Sequence, residues 1–201
     1  MRLVMVRHGE TTWNAEHRLQ GHDNAPLSAR GIKQVRSFAA FAKAMAPDHV
    51  VASDLGRTRQ TASLLGYEDV PLDPRLREID MGAWTGRIKQ ELEAERPDDY
   101  LAWRAGTYTP ERGEPWSEFC SRIVAGLRDC LRKCDGDTLA IVHGGVIRAA
   151  CHAFLGLPPS RVVPVTPGTA TILTFDAYDA PVARLEAYNI AAVTPDFDAP
   201  D

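Results

Sequence analysis

The chain has 201 residues, 44% of them hydrophobic and 25% charged, with a formal net charge of −4. That composition is ordinary for a globular protein, and the slightly acidic balance gives no reason to expect broad nucleic-acid binding. No run approaches the ~18 apolar residues of a membrane span, and residues 1–6 enter a strand directly, leaving no room for a signal peptide, so a cytoplasmic protein is the expectation.

Leu3-Val-Met-Val6 reads as a buried strand that opens at once into Arg7-His8-Gly9-Glu10. In open α/β sheets, ligands bind at the carboxyl ends of strands. An Arg-His pair there suits a phosphate group, because the guanidinium forks onto its oxygens and the imidazole can attack its phosphorus. Taken alone, the tripeptide is equally a strand running out into polar loop residues. Residues 11–27 follow as a polar loop anchored by Trp13 and Leu19. Ser28 can cap the next helix, whose Ile32, Val35, Phe38, Ala39, Ala42 and Met45 keep i, i+3, i+4 spacing before Pro47 stops it. His49–Ser53 is a second buried strand, and Arg57–Leu65 a helix ended by Gly66.

Residues 67–86 are loop-rich. Residues 87–104 suggest two short helices split at Pro97, and 105–115 form a Gly/Pro-rich loop. A continuous apolar stripe from Trp116 to Cys134 predicts a long amphipathic helix. Thr138–Val142 is a third buried strand, 145–155 a helix stopped by Gly156, and Thr169–Phe175 and Val182–Tyr188 two strands around a turn at Ala177–Pro181. This alternation predicts an α/β fold: a three-layer αβα sandwich on a mostly parallel central sheet, with an antiparallel element at its end. One domain over 1–201 is the economical reading, with a small helical flap inserted at about 87–115. The four cysteines show no Cys-x-x-Cys spacing, and three fall on apolar helix positions as small buried hydrophobes.

Three strand ends carry polar clusters of one character: Arg7-His8-Gly9-Glu10, then Ser53-Asp54-Leu-Gly-Arg57-Thr-Arg59-Gln-Thr-Ala62, then His143-Gly144-Gly-Val-Ile-Arg148. On a parallel sheet they share one edge, where Arg7, His8, Arg57 and His143 can converge. With Thr11-Thr-Trp-Asn14, Gln20-Gly21, Pro26-Leu-Ser28, Gly31 and Leu76-Arg-Glu78-Ile-Asp-Met-Gly-Ala-Trp84-Thr-Gly86, this series resembles the histidine phosphatase (phosphoglycerate mutase-like) superfamily, in order and over most of the first 150 residues.

The resemblance implies that His8 is the nucleophile and becomes phosphohistidine. Arg7 and Arg57 bind phosphoryl oxygens, His143 donates to the transferring group, and Glu78 protonates the leaving alkoxide. Asn14 and the Gly144 amide add phosphate contacts, and Gln20 and Gly21 line the pocket. Two guanidinium groups near His8 lower its pKa, whereas His143 is expected to stay charged beside the phosphate dianion. No metal or other cofactor is expected. Glu10 and Asp54 are candidates to orient the arginines. Arg59 and Arg148 are expected on a helix surface, His17, His22, His49 and His152 on the surface or in loops, and Trp84 and Trp116 in core or flap packing.

Cofactor-dependent mutases of this family carry a longer basic insert and a Glu-Arg-His-Tyr-Gly run. Here the matching stretch is Ala83-Trp84-Thr85-Gly86, and the insert's Arg87, Lys89, Arg96, Arg104 and Arg112 are diluted by seven acids. The expectation is therefore a phosphomonoesterase acting on a small phosphorylated metabolite, with α-ribazole, sugar and broad-specificity phosphatases among its compact relatives. Nucleic acid and membrane are not expected as partners, and a homodimer stays open. The alternatives are a phosphoglycerate mutase, a non-catalytic phospho-ligand binding module, and a metal-dependent hydrolase, the last without supporting His-x-x-x-His or Cys/His spacing. Many relatives have Gly-Gly-Glu-Ser before the long helix where this chain has Arg112-Gly-Glu-Pro-Trp116, so substrate specificity does not carry over.

Overall fold

The run of apolar residues at Leu3–Val6 forms strand β1 (Arg2–Arg7), the centre of a five-stranded sheet. Strands β2 (His49–Ala52), β3 (Thr138–Val142), β4 (Ala170–Thr174) and β5 (Arg184–Ile190) complete it in the order β2-β3-β1-β4-β5. β2, β3 and β1 pair in parallel, while β4 runs antiparallel to both β1 and β5, so only β4 opposes the others. This computed structural model describes residues 1–191. The single domain expected over 1–201 reaches past them, and residues 192–201 lie outside the described residues.

Side chains alternate across β1. Val4 and Val6 point to one layer, made by α2 (Ala29–Ala44) and α3 (Gly56–Leu64), where Val35, Phe38, Ala42 and Ala62 are buried against them. Leu3 and Met5 point to the other, made by α6 (Trp116–Leu131) and α7 (Gly144–Leu155), among Phe119, Ile123, Leu127 and Val146. Period-2 alternation in the strand and one apolar stripe per helix thus give the expected three layers. α6 stops at Leu131, so Cys134 lies beyond it. The four cysteines are free thiols, and Cys130 and Cys151 are buried.

Two local features refine the sequence reading. The segment expected as a loop at 11–27 begins with a short helix, α1 (Thr12–Ala15), closed by a capping box between Thr11 and Asn14. Ser28 caps α2 as expected, its Oγ accepting from the Gly31 amide at 3.0 Å.

The insert contains α4 (Lys89–Glu95) and α5 (Pro97–Arg104). Its Leu92, Tyr100 and Trp103 are buried in the α6–α7 core, and Trp84 stacks on Tyr100 and Tyr108 with ring centroids at 6.5 and 5.4 Å. The flap is thus packed onto the body through apolar and aromatic area. Trp84 and Trp116 serve this packing, Trp116 lying against Phe119.

Candidate active site

The β1–β3 register pairs Arg7 with Val142, so His8 and His143 leave adjacent parallel strands side by side. Their rings meet edge to face, with centroids 5.3 Å apart. β2 pairs Ala52 with Ile141, which brings Ser53 to the same edge, and its Oγ lies 2.9 Å from His143 Nε2. α3 begins there at Gly56 and presents Arg57 inward. Arg7, His8, Arg57, Glu78 and His143 are all buried.

Arg57 fixes the state of His8. Its Nε–H donates to His8 Nε2 at 3.1 Å, and its terminal nitrogens donate to the Asp23 carbonyl at 2.6 Å and the Gly21 carbonyl at 2.8 Å. A guanidinium has donors only, so His8 Nε2 must present its lone pair. The proton therefore sits on Nδ1, which donates to the Gly9 carbonyl at 2.8 Å. Burial, then the charges of Arg57 and Arg7, hold the His8 pKa well below the ordinary histidine value, against the opposing Gly9 bond. Such a neutral ring can act as a nucleophile through Nε2. Arg57 is itself lowered to about 10, mainly by burial and in part by Arg7, and stays charged at neutral pH.

Burial, followed by Arg57, His8 and Arg7, likewise lowers His143 well below its ordinary value. In the protein alone the field therefore favours a neutral His143; the charged form was expected for the complex with a phosphate dianion, whose charge opposes the arginines. Arg7 donates to the Val165 carbonyl.

Glu78 comes from the loop after a 3-10 turn at Pro74–Leu76. Its Oε1 accepts from the Ile79 amide at 2.8 Å and its Oε2 from the Gly145 amide in the first turn of α7 at 2.9 Å. A Cβ on Gly145 would lie 2.1 Å from Glu78 Oε1, so a larger residue there must displace the carboxylate. The amide that the carboxylate engages is thus Gly145, one residue past the Gly144 singled out in the sequence; Gly144, also buried, opens the helix beside His143.

Asn14 is buried with its Oδ1 committed to the Thr11 amide and hydroxyl, both at 3.1 Å, which leaves Nδ2 as its donor. Gln20 is buried, and its Oε1 has no hydrogen-bond partner among the described residues. Gly21 acts through its backbone, in the left-handed region at φ 51° with its carbonyl on Arg57.

Several secondary expectations change. Glu10 accepts from Ser28 Oγ at 2.6 Å and from Arg30 at 3.1 Å, and Asp54 pairs with Arg77, so neither touches Arg7 or Arg57. Arg59 is exposed as expected, but Arg148 is buried. Its guanidinium lies over Trp103 and Trp116 at 5.6 and 5.0 Å, because α7 is covered on its outer side by aromatic residues. His22 lies in a loop as expected, half-buried, and donates through Nε2 to the Glu78 carbonyl at 2.8 Å. Ser53, the Gly145 amide and the carbonyls of Gly9, Asp23 and Val165 are parts of the site that sequence reasoning did not single out.

Among the described residues, no group of three His, Cys, Asp or Glu side chains is arranged to hold a metal ion, and no helix is long and apolar enough to cross a membrane.

With this geometry in view, the sequence matches the Histidine phosphatase superfamily (branch 1) over residues 3–189. The chain belongs to that superfamily. A probable phosphoglycerate mutase GpmB from Enterobacter sp. (strain 638) is 40% identical over 169 residues, 79% of this chain and 76% of the relative. One from Cronobacter sakazakii is 38% identical over 168 residues, with the same coverage. Among solved structures, a mycobacterial glucosyl-3-phosphoglycerate phosphatase complexed with VO3 superposes with a TM-score of 0.85 at 30% identity, covering 94% of this chain and 99% of that one. The α-ribazole phosphatase of Shigella flexneri gives 0.81 at 27% identity, covering 98% and 100%. The relatives thus include named phosphatases and probable mutases of one superfamily.

Gly145→Ala should push the Glu78 carboxylate from its seat and lower turnover of an alkyl phosphate by about 10²-fold, with circular dichroism unchanged; full activity would contradict this placement. The unfolded chain protonates both imidazoles near ~6.5, whereas the folded sites resist protonation. Unfolded chains then bind more protons, so stability should fall as pH drops below ~6.5. Ring NMR should show His8 and His143 still neutral at pH 5.5, and either one titrating near 6.5 would contradict the assignment.

Proposed function

We propose that the chain is a metal-independent phosphomonoesterase working through a phosphohistidine on His8. The observation that carries this reading is the Arg57 Nε–H on His8 Nε2, which marks the free lone pair on a buried ring held in its Nδ1–H form. When a monoester binds, Arg57 passes that N–H to a phosphoryl oxygen, with Arg7 and His143 on the others and Asn14 Nδ2 and the Gly144 amide as further donors. Gln20 and Gly21 shape the wall beside Arg57.

His8 Nε2 attacks phosphorus as the ester P–O bond breaks, and the departing alkoxide takes the proton of Glu78. Water then attacks phosphorus and gives a proton to the Glu78 carboxylate. The P–N bond breaks, its electron pair returns to Nε2, and inorganic phosphate leaves. Each charge-assisted hydrogen bond to the phosphoryl group contributes about 1.5–3 kcal/mol, roughly one to two decades in rate per bond.

Water rather than a second sugar or glycerate hydroxyl is favoured as final acceptor by the state of the flap. Arg87 pairs with Glu95, Lys89 with Glu93, Arg96 with Asp99 and Arg112 with Glu111. Each of those four cations has an acid of the insert beside it, and Arg104, the fifth, is half-buried. The named phosphatases superpose over nearly the whole chain, which supports the same reading. The mutase reading rests on the names of the GpmB relatives.

Incubation with 3-phosphoglycerate and with simple alkyl and aryl phosphates separates the two. A phosphatase releases one phosphate per ester consumed, and His8→Ala abolishes release. Interconversion of 2- and 3-phosphoglycerate without phosphate release would replace the proposal with the mutase, and a turning-over His8→Ala protein would overturn the mechanism itself.

A further inference from the structure

Arg122, on α6, reaches the loop that carries Glu78 and uses every donor it has. Its Nε donates to Glu114 Oε1 at 2.5 Å and one terminal nitrogen to Glu114 Oε2 at 2.7 Å. That same nitrogen donates to the Glu78 carbonyl at 2.8 Å, and the other donates to the Arg75 and Arg77 carbonyls at 2.9 and 2.8 Å. A guanidinium carries five N–H groups in a fixed planar fork, and all five are engaged on one short segment and one carboxylate.

Glu114 closes the arrangement from the flap side. Its amide donates to the Asp80 carbonyl at 2.9 Å, and its Oε2 accepts from the Asp80 amide at 3.3 Å. The Glu78 backbone is thereby gripped on both sides. Neither Arg122 nor Glu114 is part of the phosphate cluster, and both side chains are largely buried.

We propose that Arg122, locked by Glu114, is a positioning residue that holds the Glu78 carboxyl where it can protonate the leaving group. The physical reason is reach. Among the described residues, the Glu78 carboxylate accepts from the Gly145 and Ile79 amides alone, and Ile79 belongs to the same loop. Without the Arg122 fork, the carbonyls of Arg75, Arg77 and Glu78 lose this anchor, Glu78 keeping that of His22, and the loop gains freedom to withdraw the carboxyl. A displacement of about 1 Å can cost 10²-fold in rate. This inference rests on the proposed role of Glu78 and extends it to residues that touch no substrate.

Dependence on the leaving group tests it. kcat/KM reports the steps through loss of the leaving group, and a p-nitrophenolate departs with little help from an acid, whereas an alkoxide needs its proton. Arg122→Lys and Glu114→Gln are compared with the unaltered protein on p-nitrophenyl phosphate and glycerol phosphate. Each variant is expected to lose at least tenfold more kcat/KM on the alkyl ester than on the aryl ester, in the pattern of Glu78→Gln. Equal losses on both substrates, or no loss, in variants that remain folded by circular dichroism would overturn the positioning role. If Glu78→Gln itself failed to separate the two substrates, the fault would lie with the proton-donor assignment instead. Should Arg122→Lys not fold, Glu114→Gln alone decides, since it takes away the charge of the lock and one of its two acceptors while keeping all five guanidinium donors.

Discussion

A buried guanidinium is costly unless its donors are met, and that requirement organises the whole edge of this sheet. Arg57 enters from the first turn of α3 and satisfies itself on the Gly21 and Asp23 carbonyls and on the His8 ring. Those contacts pull the loop after α1 across the strand ends and fix which nitrogen of His8 keeps its lone pair. The same charge, with that of Arg7, helps hold both buried imidazoles neutral. Structure and reactivity therefore share one constraint: cations kept out of water at the carboxyl ends of parallel strands, a setting suited to an anion that brings its own charge.

The rest of the fold serves that edge. Parallel pairing of β2, β3 and β1 sets Ser53, His143 and His8 in neighbouring positions, and the start of α7 adds an amide for Glu78. The opposite wall is made by the loop from Arg75 to Asp80, held from behind by Arg122 and Glu114. Aromatic packing around Trp84 then holds the flap against the body.

Much of this was legible in the sequence because its chemistry is concentrated at strand ends. Arg7-His8 follows an unbroken apolar run, Arg57 follows the short strand at His49, and His143 follows Thr138–Val142. Parallel pairing alone brings such ends together. What escaped the sequence were contacts set by register and packing over long separations. Ser53 meets His143 across 90 positions, and Gly145 meets Glu78 across 67. Helix α1 escaped because four residues have no periodicity and are held by one capping box. Glu10 and Asp54 misled for a related reason: their sequence neighbours in the motifs are Arg7 and Arg57, but their nearest cations in space are Arg30 and Arg77. Arg148 carried a surface expectation, yet it is buried under Trp103 and Trp116 because the helix that bears it is covered on both sides.

The central claim is that a buried, neutral His8 offers Nε2 to phosphorus. Rapid quenching of the protein during turnover of a phosphomonoester, followed by NMR correlation of phosphorus with the ring nitrogens, tests it most directly. The account predicts an acid-labile, base-stable adduct with phosphorus bonded to Nε2 of His8. Phosphorus on Nδ1, on any other residue, or a turning-over protein that never carries phosphate would contradict it.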